Sequence, residues 1–363
     1  MGSIRQPTDG VHLKYHVTLK GKQIMFKIQF LKQKVMRTVV YTLLPATVAA
    51  IFFFGWRSLA MVALSVISCV ITEWLFVRGA NGKVSEAVFV TAFLYALSLP
   101  PTLPLYMVVI GAVFAITFGK MAFGGFGNNV FNPAMVGRAF VYITFPIQMT
   151  NRWIPAANFS DFPAGFAAWQ FHATPDYLSA ITEATPQIAY KDGAANLPSY
   201  WQLLFGNING QFERLGETTL IGAGSMGEIS AILLLIGGLY LVYKKAANWR
   251  LVVSFFVTYL VFDGILHLIV PAKVPNPLFG LLAGSTMMGG FFIVTDPVSA
   301  PKQDFTRYVY GAMIAIFTII IKSFALFSGG LTFGVLLGNM FGPLIDFYVK
   351  NYKDKKKAGG SRQ

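Results

Sequence analysis

The sequence predicts an all-α integral membrane protein with about ten transmembrane helices, arranged as two inverted five-helix repeats with broken half-helices. Three observations carry that prediction. Hydrophobic residues make up 55% of the 363 residues and charged residues only 12%, about half the share usual in a soluble domain. Apolar runs recur along the whole chain, each long enough or nearly long enough to cross ~30 Å of hydrocarbon. The pattern of the first half returns in the second.

The apolar runs fall at 38–55, 58–77, 84–99, 104–121, 131–145, 229–243, 251–270, 276–293, 308–326 and 330–348. Those at 84–99 and 131–145 are nearer half-spans, and both abut Gly or Pro: "SLPPTLP" follows the first and "FGGFGNNVFNP" precedes the second. Interrupted helices leave backbone groups unpaired at membrane depth, which is tolerated where they line a cavity or are buried in protein. A site inside the membrane part is therefore expected. In the first half "LSLPPTLP" leads into "LYMVVIGAVFAITFGKMAFGGFG" and "VFNPAMVGRAFVYI". In the second, "IVTDPVSAP" leads into "YVYGAMIAIFTIIIKSFALFSGG" and "LTFGVLLGNMFGPLI". Lys120 and Lys322 take corresponding places. Five spans per half is an odd number, so the halves enter the membrane from opposite sides.

The net charge of +14 does not read as a nucleic-acid surface, because the basic residues cluster at the ends of the apolar runs: "KGKQIMFKIQFLKQKVMR", "KKAANWR" and "KNYKDKKK". With both termini cytoplasmic, Arg78, Lys83, Lys120, Lys244, Lys245, Arg250, Lys302 and Arg307 fall on the inner side, and 146–228 holds only Arg152, Lys191 and Arg214. The expected organisation is a basic cytoplasmic segment (1–37), a first membrane repeat (38–145), an outer-side loop (146–228), a second repeat (229–350) and a basic cytoplasmic tail (351–363). The one cysteine, Cys69, supports neither a disulfide framework nor a metal site of its own, and the four histidines have no ligand spacing, so no metal site is expected. The first 36 residues lack a short apolar core and read as no cleaved signal peptide.

Within the polar loop, "YLSAITEATPQIAY" (177–190) places Thr185 between Ala184 and Pro186. One reading is structural: Thr174 caps a helix, Pro175 opens it, "DYLSAITEA" continues it and Pro186 stops it. The other reading is attachment. "Thr-Glu-Ala-Thr" (182–185) looks like the [ST]-x-A-T core at which a flavin transferase links FMN to the last Thr by a phosphoester.

"SEAVFVTAFLYALSLPPTLPLYMVVIGAVFAITFGKMAFGGFGNNVFNPAMVGRAFVYITFPIQMT", "GGFFIVTDPVSAP" and "GVLLGNMFGPLIDFYV" resemble the RnfD/NqrB family over nearly all of 38–350. That family comprises homologous membrane subunits of the ferredoxin:NAD⁺ oxidoreductase Rnf and the Na⁺-translocating NADH:quinone oxidoreductase Nqr. The sequence favours neither branch. The resemblance implies a subunit of a redox-driven Na⁺ or H⁺ pump in a bacterial or archaeal cytoplasmic membrane. Electrons would be relayed by FMN on Thr185, within a motif that includes Thr182 and Ala184, and by a second flavin, riboflavin, among the helices. The partners it implies are the other subunits of the complex, a flavin transferase, the translocated ion and quinone. Ser179 and Glu183 depart from the family's attachment motif, in which Asp is usual at the first position and a small residue at the second.

Two further groups of residues are candidates. In "FNPAMVGRAF", Asn132 opens a helix whose N-terminus suits a phosphate or a reduced flavin, with Arg138 nearby; the plain alternative is a cap and a packing residue. Glu73, Glu86, Asp263, Asp296 and Asp346 lie in or at the edges of apolar spans, where a carboxylate must be paired, protonated or bound to a cation. Glu86, Asp296 and Asp346 sit in the stretches that match the family, so its proposed ion-passage and subunit-contact roles carry to them by resemblance. The plain alternatives are ion pairs of Glu86 with Lys83 and Asp346 with Lys350, and a turn-capping role for Asp296. Lys120 and Lys322 are expected to snorkel. A rival reading is a solute or ion channel of the urea/ammonium-channel type without a redox cofactor, since the predicted architecture is similar to that of such channels.

Overall fold

The computed structural model describes residues 13–19, 22–80, 82–150, 153–171, 181–183, 185–191, 193, 197–208, 211–214, 217–221, 223–325 and 329–360. It is mostly helical. The main helices are α1 (Lys34–Phe54), α2 (Trp56–Val77), α3 (Ala87–Leu97), α4 (Leu105–Gly119), α5 (Pro133–Thr144), α6 (Ala231–Tyr243), α7 (Trp249–Ile269), α8 (Pro277–Leu282), α9 (Asp304–Phe324) and α10 (Gly330–Gly360). Among the described residues six helices are long and apolar enough to cross a membrane: α1, α2, α4 (with the turn that follows it), α7, α9 and α10. Their outward faces carry apolar side chains such as Ile67 and Ile71 on α2 and Val253, Val257 and Val261 on α7. The chain is a multi-pass membrane protein.

Local chemistry explains where the helices break. Gly55, at φ 103°, is the single residue between α1 and α2, and a Cβ there would lie 2.7 Å from the Trp169 carbonyl oxygen. Helix α3 has 11 residues, roughly 16 Å of rise, and stops before Pro100, Pro101 and Pro104. Helix α5 starts with Pro133 at its first position and Asn132 as its cap, the Asn132 side chain accepting from the Met135 N–H at 3.2 Å. In the second half, α8 is followed by a short helical turn (Thr286–Met288) and a π-turn (Gly289–Ile293) leading to the Thr295–Asp296–Pro297 break.

Helix α2 packs on α3 and α4, and α4 on α5; α7 packs on α8 and α9, and α9 on α10, while α1 lies against α3 and α6. Small residues permit the close crossings. A Cβ on Gly137 of α5 would meet the Ala115 Cβ at 2.7 Å and the Gly111 carbonyl at 2.8 Å, and one on Gly334 of α10 would meet Thr318 Oγ1 of α9 at 2.7 Å. One buried apolar core runs through these contacts, with Leu43, Phe54, Met61, Tyr95, Val108, Phe255, Tyr259 and Tyr310 at its centre.

Several expectations need correction. The mostly helical structure agrees with an all-α membrane protein, but it adds short strands that the sequence reading did not place: Leu13–Leu19 pairs antiparallel with Lys22–Ile28, Phe30–Leu31 pairs parallel with Val84–Ser85, and Ile181–Glu183, Gln211–Arg214 and Glu217–Ile221 form a three-stranded sheet. The helix that the structural reading ran from Pro175 through 184 is not present at 181–183, which are strand, because Glu217–Ile221 supplies an edge for them to pair with. The remainder of that segment, with Thr174, Ser179 and Ala184, lies outside the described residues. Helix α1 begins inside the predicted N-terminal segment, and α10 runs on into the predicted tail.

Candidate functional site

Two cavities hold the candidate residues Asn132, Asp296, Arg138 and Thr185 between them. The first, with about 610 Å³ of empty space, gathers the starts of α1 and α3, the ends of α4 and α6, and the Thr295–Val298 break. Lys120 lines it, the residue that ends α4. Its side chain is 2% exposed; the ammonium donates to Glu73 Oε2 of α2 at 2.6 Å and to Ser85 Oγ at 2.5 Å, and the Ser85 N–H donates to Glu73 Oε1 at 2.9 Å. Lys120 therefore does not snorkel: its charge is neutralised within the fold, and Glu73 is its partner. Across the cavity Asp296 accepts from Asn132 Nδ2 at 3.3 Å, Ser299 Oγ at 2.8 Å and the Val298 N–H at 3.2 Å. The Asn132 N–H donates to Asn339 Oδ1 of α10 at 2.9 Å, and Asn339 Nδ2 donates to the Tyr310 hydroxyl of α9 at 2.5 Å. These bonds tie α5, α9, α10 and the Asp296 turn together at the floor of the cavity.

The second cavity, with about 410 Å³ of empty space, is lined by Arg138, Trp153, Thr185, Gln187, Ser225, Glu228 and Lys322, among others. Arg138 of α5 pairs with Glu228 (3.3 Å) and donates to Ser225 Oγ (3.3 Å). Lys322, near the end of α9, donates to Thr286 Oγ1 at 3.0 Å, and Thr286 in turn donates to the Gly280 carbonyl at 3.1 Å. Thr185 is half-buried, its carbonyl accepts from the Ala189 N–H, and a Cβ on Gly224 would stand 3.5 Å from its methyl and 3.8 Å from Glu228. Arg138 Nε and Trp153 Nε1 are buried donors, and Gln187 Oε1 a buried acceptor, with no protein hydrogen-bond partner among the described residues. Buried polar groups of this kind ordinarily have partners.

The family model described as NQR2, RnfD, RnfE matches residues 27–354. The chain belongs to this family. Among its relatives is RnfD of Cronobacter sakazakii, a component of an ion-translocating oxidoreductase complex, which is 35% identical over 335 residues, covering 87% of this chain and 93% of the relative. The components of the same name from Aliivibrio salmonicida (33%; 89% of this chain, 95% of the relative) and Pectobacterium carotovorum (32%; 88% and 93%) are similar over the same extent.

In this NQR2, RnfD, RnfE family chain the candidate residues do not form one site. Asn132, the cap of α5, belongs to the first cavity and Arg138, in the middle of the same helix, to the second. Arg138 is a paired, cavity-lining residue and not mere packing. Glu86 is not paired with Lys83; it accepts from the Arg37 guanidinium and from the Gln33 N–H, fastening α1 to the start of α3. Asp346 is not paired with Lys350; it accepts the Lys302 and Gln303 N–H groups at 2.8 and 3.2 Å, at the entry to α9. Asp296 does cap its turn, and also bridges to Asn132. Asp263 is 0% exposed, and among the described residues neither of its carboxylate oxygens has a hydrogen-bond partner. Thr182 lies in a strand, its side chain outside the described residues, as is all of Ala184. Among the described residues no cluster of His, Cys, Asp and Glu could hold a metal ion. Sequence reasoning missed Glu228, Ser225 and Trp153. For Glu228 there was a signal: a lone carboxylate at the end of the Gly-rich "GAGSMGE", directly before an apolar run.

Proposed function

We propose that the chain is a membrane subunit of an ion-translocating oxidoreductase complex that relays electrons through FMN attached to Thr185 by a phosphoester, with a second flavin, riboflavin, in the first cavity. One observation carries the reading: Thr185 stands in the wall of a cavity that also holds two cationic side chains and the donors Arg138 Nε and Trp153 Nε1, which have no hydrogen-bond partner among the described residues. The donor set suits the group. A phosphodiester at Thr185 is an anion, and charge-assisted bonds from Arg138 and Lys322 and neutral donation from Trp153 suit its oxygens. Glu228 and Ser225 hold the Arg138 guanidinium in place, and Lys322 is steadied by Thr286. Bound flavin supplies one-electron transfer; this chain's residues bind it, orient it and keep water from it.

The first cavity offers the Phe126 and Phe292 rings and the Asn132 and Asn129 amides to a planar, hydrogen-bonding ring system. Glu73, Glu86, Asp263, Asp296 and Asp346 are the carboxylates available for Na⁺ or H⁺ passage. Asp263 is the strongest candidate, because among the described residues its carboxylate is buried with neither an ion pair nor a hydrogen bond, Lys322 and His267 being the basic groups near it. The inverted repeat is supported by the matching sets of helix contacts, α2–α4–α5 and α7–α9–α10. The basic flanks support cytoplasmic termini, in a bacterial or archaeal cytoplasmic membrane, with Thr185 on the outer side. The remaining subunits and a flavin transferase are the partners this reading requires, and quinone is an acceptor it allows.

The test is peptide mass spectrometry of the chain purified from cells expressing its flavin transferase. An FMN phosphate on the Thr185 peptide, absent in Thr185→Ala, is expected. An unmodified Thr185, in cells whose other flavoprotein subunits are modified, refutes the attachment.

A further inference from the structure

We propose that a basic cavity between the α6–α7 turn and the start of α9 binds the phosphate headgroup of an anionic phospholipid. Helix α6 ends at Tyr243, and the chain turns through Lys245, at φ 57°, before Asn248 caps α7 by accepting the Arg250 N–H at 3.0 Å. Glycine is the low-cost residue at such a left-handed position after a helix; here a lysine occupies it, at the wall of the cavity. The segment leading into α9 closes the other side. The cavity has about 980 Å³ of empty space and is lined by Lys245, Arg250, Lys302 and Arg307.

The charges do not balance locally. Asp304 pairs with both Arg250 (3.4 Å) and Arg307 (2.7 Å), so one carboxylate serves two guanidiniums, while Asp346 is turned to the backbone N–H groups of Lys302 and Gln303. Positive charge is left over around a concave, water-accessible space, and the N–H groups of the first turn of α7 add to it.

The depth of the cavity selects the ligand. Trp249, with Arg250 stacked over its ring at 5.0 Å, and Tyr240, Tyr243 and Tyr308 are exposed around this end of α6, α7 and α9. From Trp249 onward the exposed residues of α7 are apolar: Val253, Val257, Leu260 and Val261. Exposed aromatics next to an apolar face mark the headgroup level of a bilayer. A phosphate bound among the four cations would leave its acyl chains against the apolar face of α7. A soluble anion would make no use of that second surface.

The test uses the full chain in its native complex, reconstituted in nanodiscs of phosphatidylcholine with added phosphatidylglycerol. Brominated phosphatidylglycerol should quench Trp249 more than brominated phosphatidylcholine at equal mole fraction, and Trp249→Phe should remove the difference. In native mass spectrometry Lys245→Ala/Lys302→Ala should lower retention of phosphatidylglycerol about tenfold or more, since each basic residue near the surface contributes about 1 kcal/mol. The charge-matched Arg78→Ala/Lys83→Ala should retain it. Four results overturn the proposal: equal quenching by both lipids, equal loss in the control variant, displacement of the lipid by millimolar inorganic phosphate, or a cross-link from Lys245 to an acidic segment of a neighbouring subunit in place of lipid. The quenching comparison needs no variant at the basic residues, so it decides the matter even if the double variant fails to fold.

Discussion

Glu73→Gln should separate a buried ion pair from a hydrated one. Glu73 and Lys120 are each 2% exposed and 2.6 Å apart, and the carboxylate also receives the Ser85 N–H. Glutamine keeps an acceptor for that N–H and nearly the same volume, so the substitution removes charge and little else. The ammonium would then stay buried with no anion beside it, left with Ser85 Oγ and the face of the Phe126 ring 5.8 Å away, a loss of roughly 3–5 kcal/mol. Lys120→Met should cost a comparable amount, by stranding the carboxylate. The double variant Glu73→Gln/Lys120→Met removes both charges and should be less destabilised than either single one, giving a coupling of at least about 3 kcal/mol. The assay is reversible unfolding of the full-length protein in mixed micelles, followed by tryptophan fluorescence. Single variants that each lose less than about 1 kcal/mol, with additive effects in the double variant, would show that water screens the pair and that Lys120 is not sealed in the fold.

Two further predictions follow from other parts of the molecule. Gly137→Ala should drive α5 away from Ala115 and the Gly111 carbonyl of α4, lowering stability by about 1–3 kcal/mol in the same unfolding assay. Gly79→Ala, whose added Cβ meets nothing within 4 Å, should leave it unchanged, and equal effects would refute the crossing geometry. Asp263→Asn should leave folding intact or slightly improved, because it removes an unpartnered buried carboxyl, while ion transport by the reconstituted complex falls at least tenfold. Transport at the parental rate would remove Asp263 from the ion pathway.

The helices were legible because hydropathy is a local property. Each of the ten apolar runs overlaps a helix of the structure, and the Pro and Gly breaks around 98–104 and 124–133 fall where α3 ends and α5 begins. The strand at Ile181–Glu183 was not legible, because so short a strand forms only against a partner, Glu217–Ile221, that the local sequence does not contain; the hairpin Leu13–Ile28 has its partner beside it, and the alternation in "LKYHVTL" was a signal left unread.

The candidate site shows the same division more sharply. Asn132 and Arg138 looked like one site because they are close in sequence, yet six residues of helix rotate a side chain by about 600°, leaving the two about 120° apart in direction. They face different cavities for that reason. The pairs that count are instead long-range: Lys120 with Glu73, Arg37 with Glu86 and Arg138 with Glu228 join positions 47, 49 and 90 residues apart. A sequence can flag that each of these charges is too costly to bury alone, but only the packing of α1, α2, α4 and α5 decides which one answers which. Asp263 is the exception that the packing leaves unanswered. The burial argument that first singled it out is strengthened by a structure in which every other flagged carboxylate accepts at least two hydrogen bonds or an ion pair, and this one accepts none among the described residues.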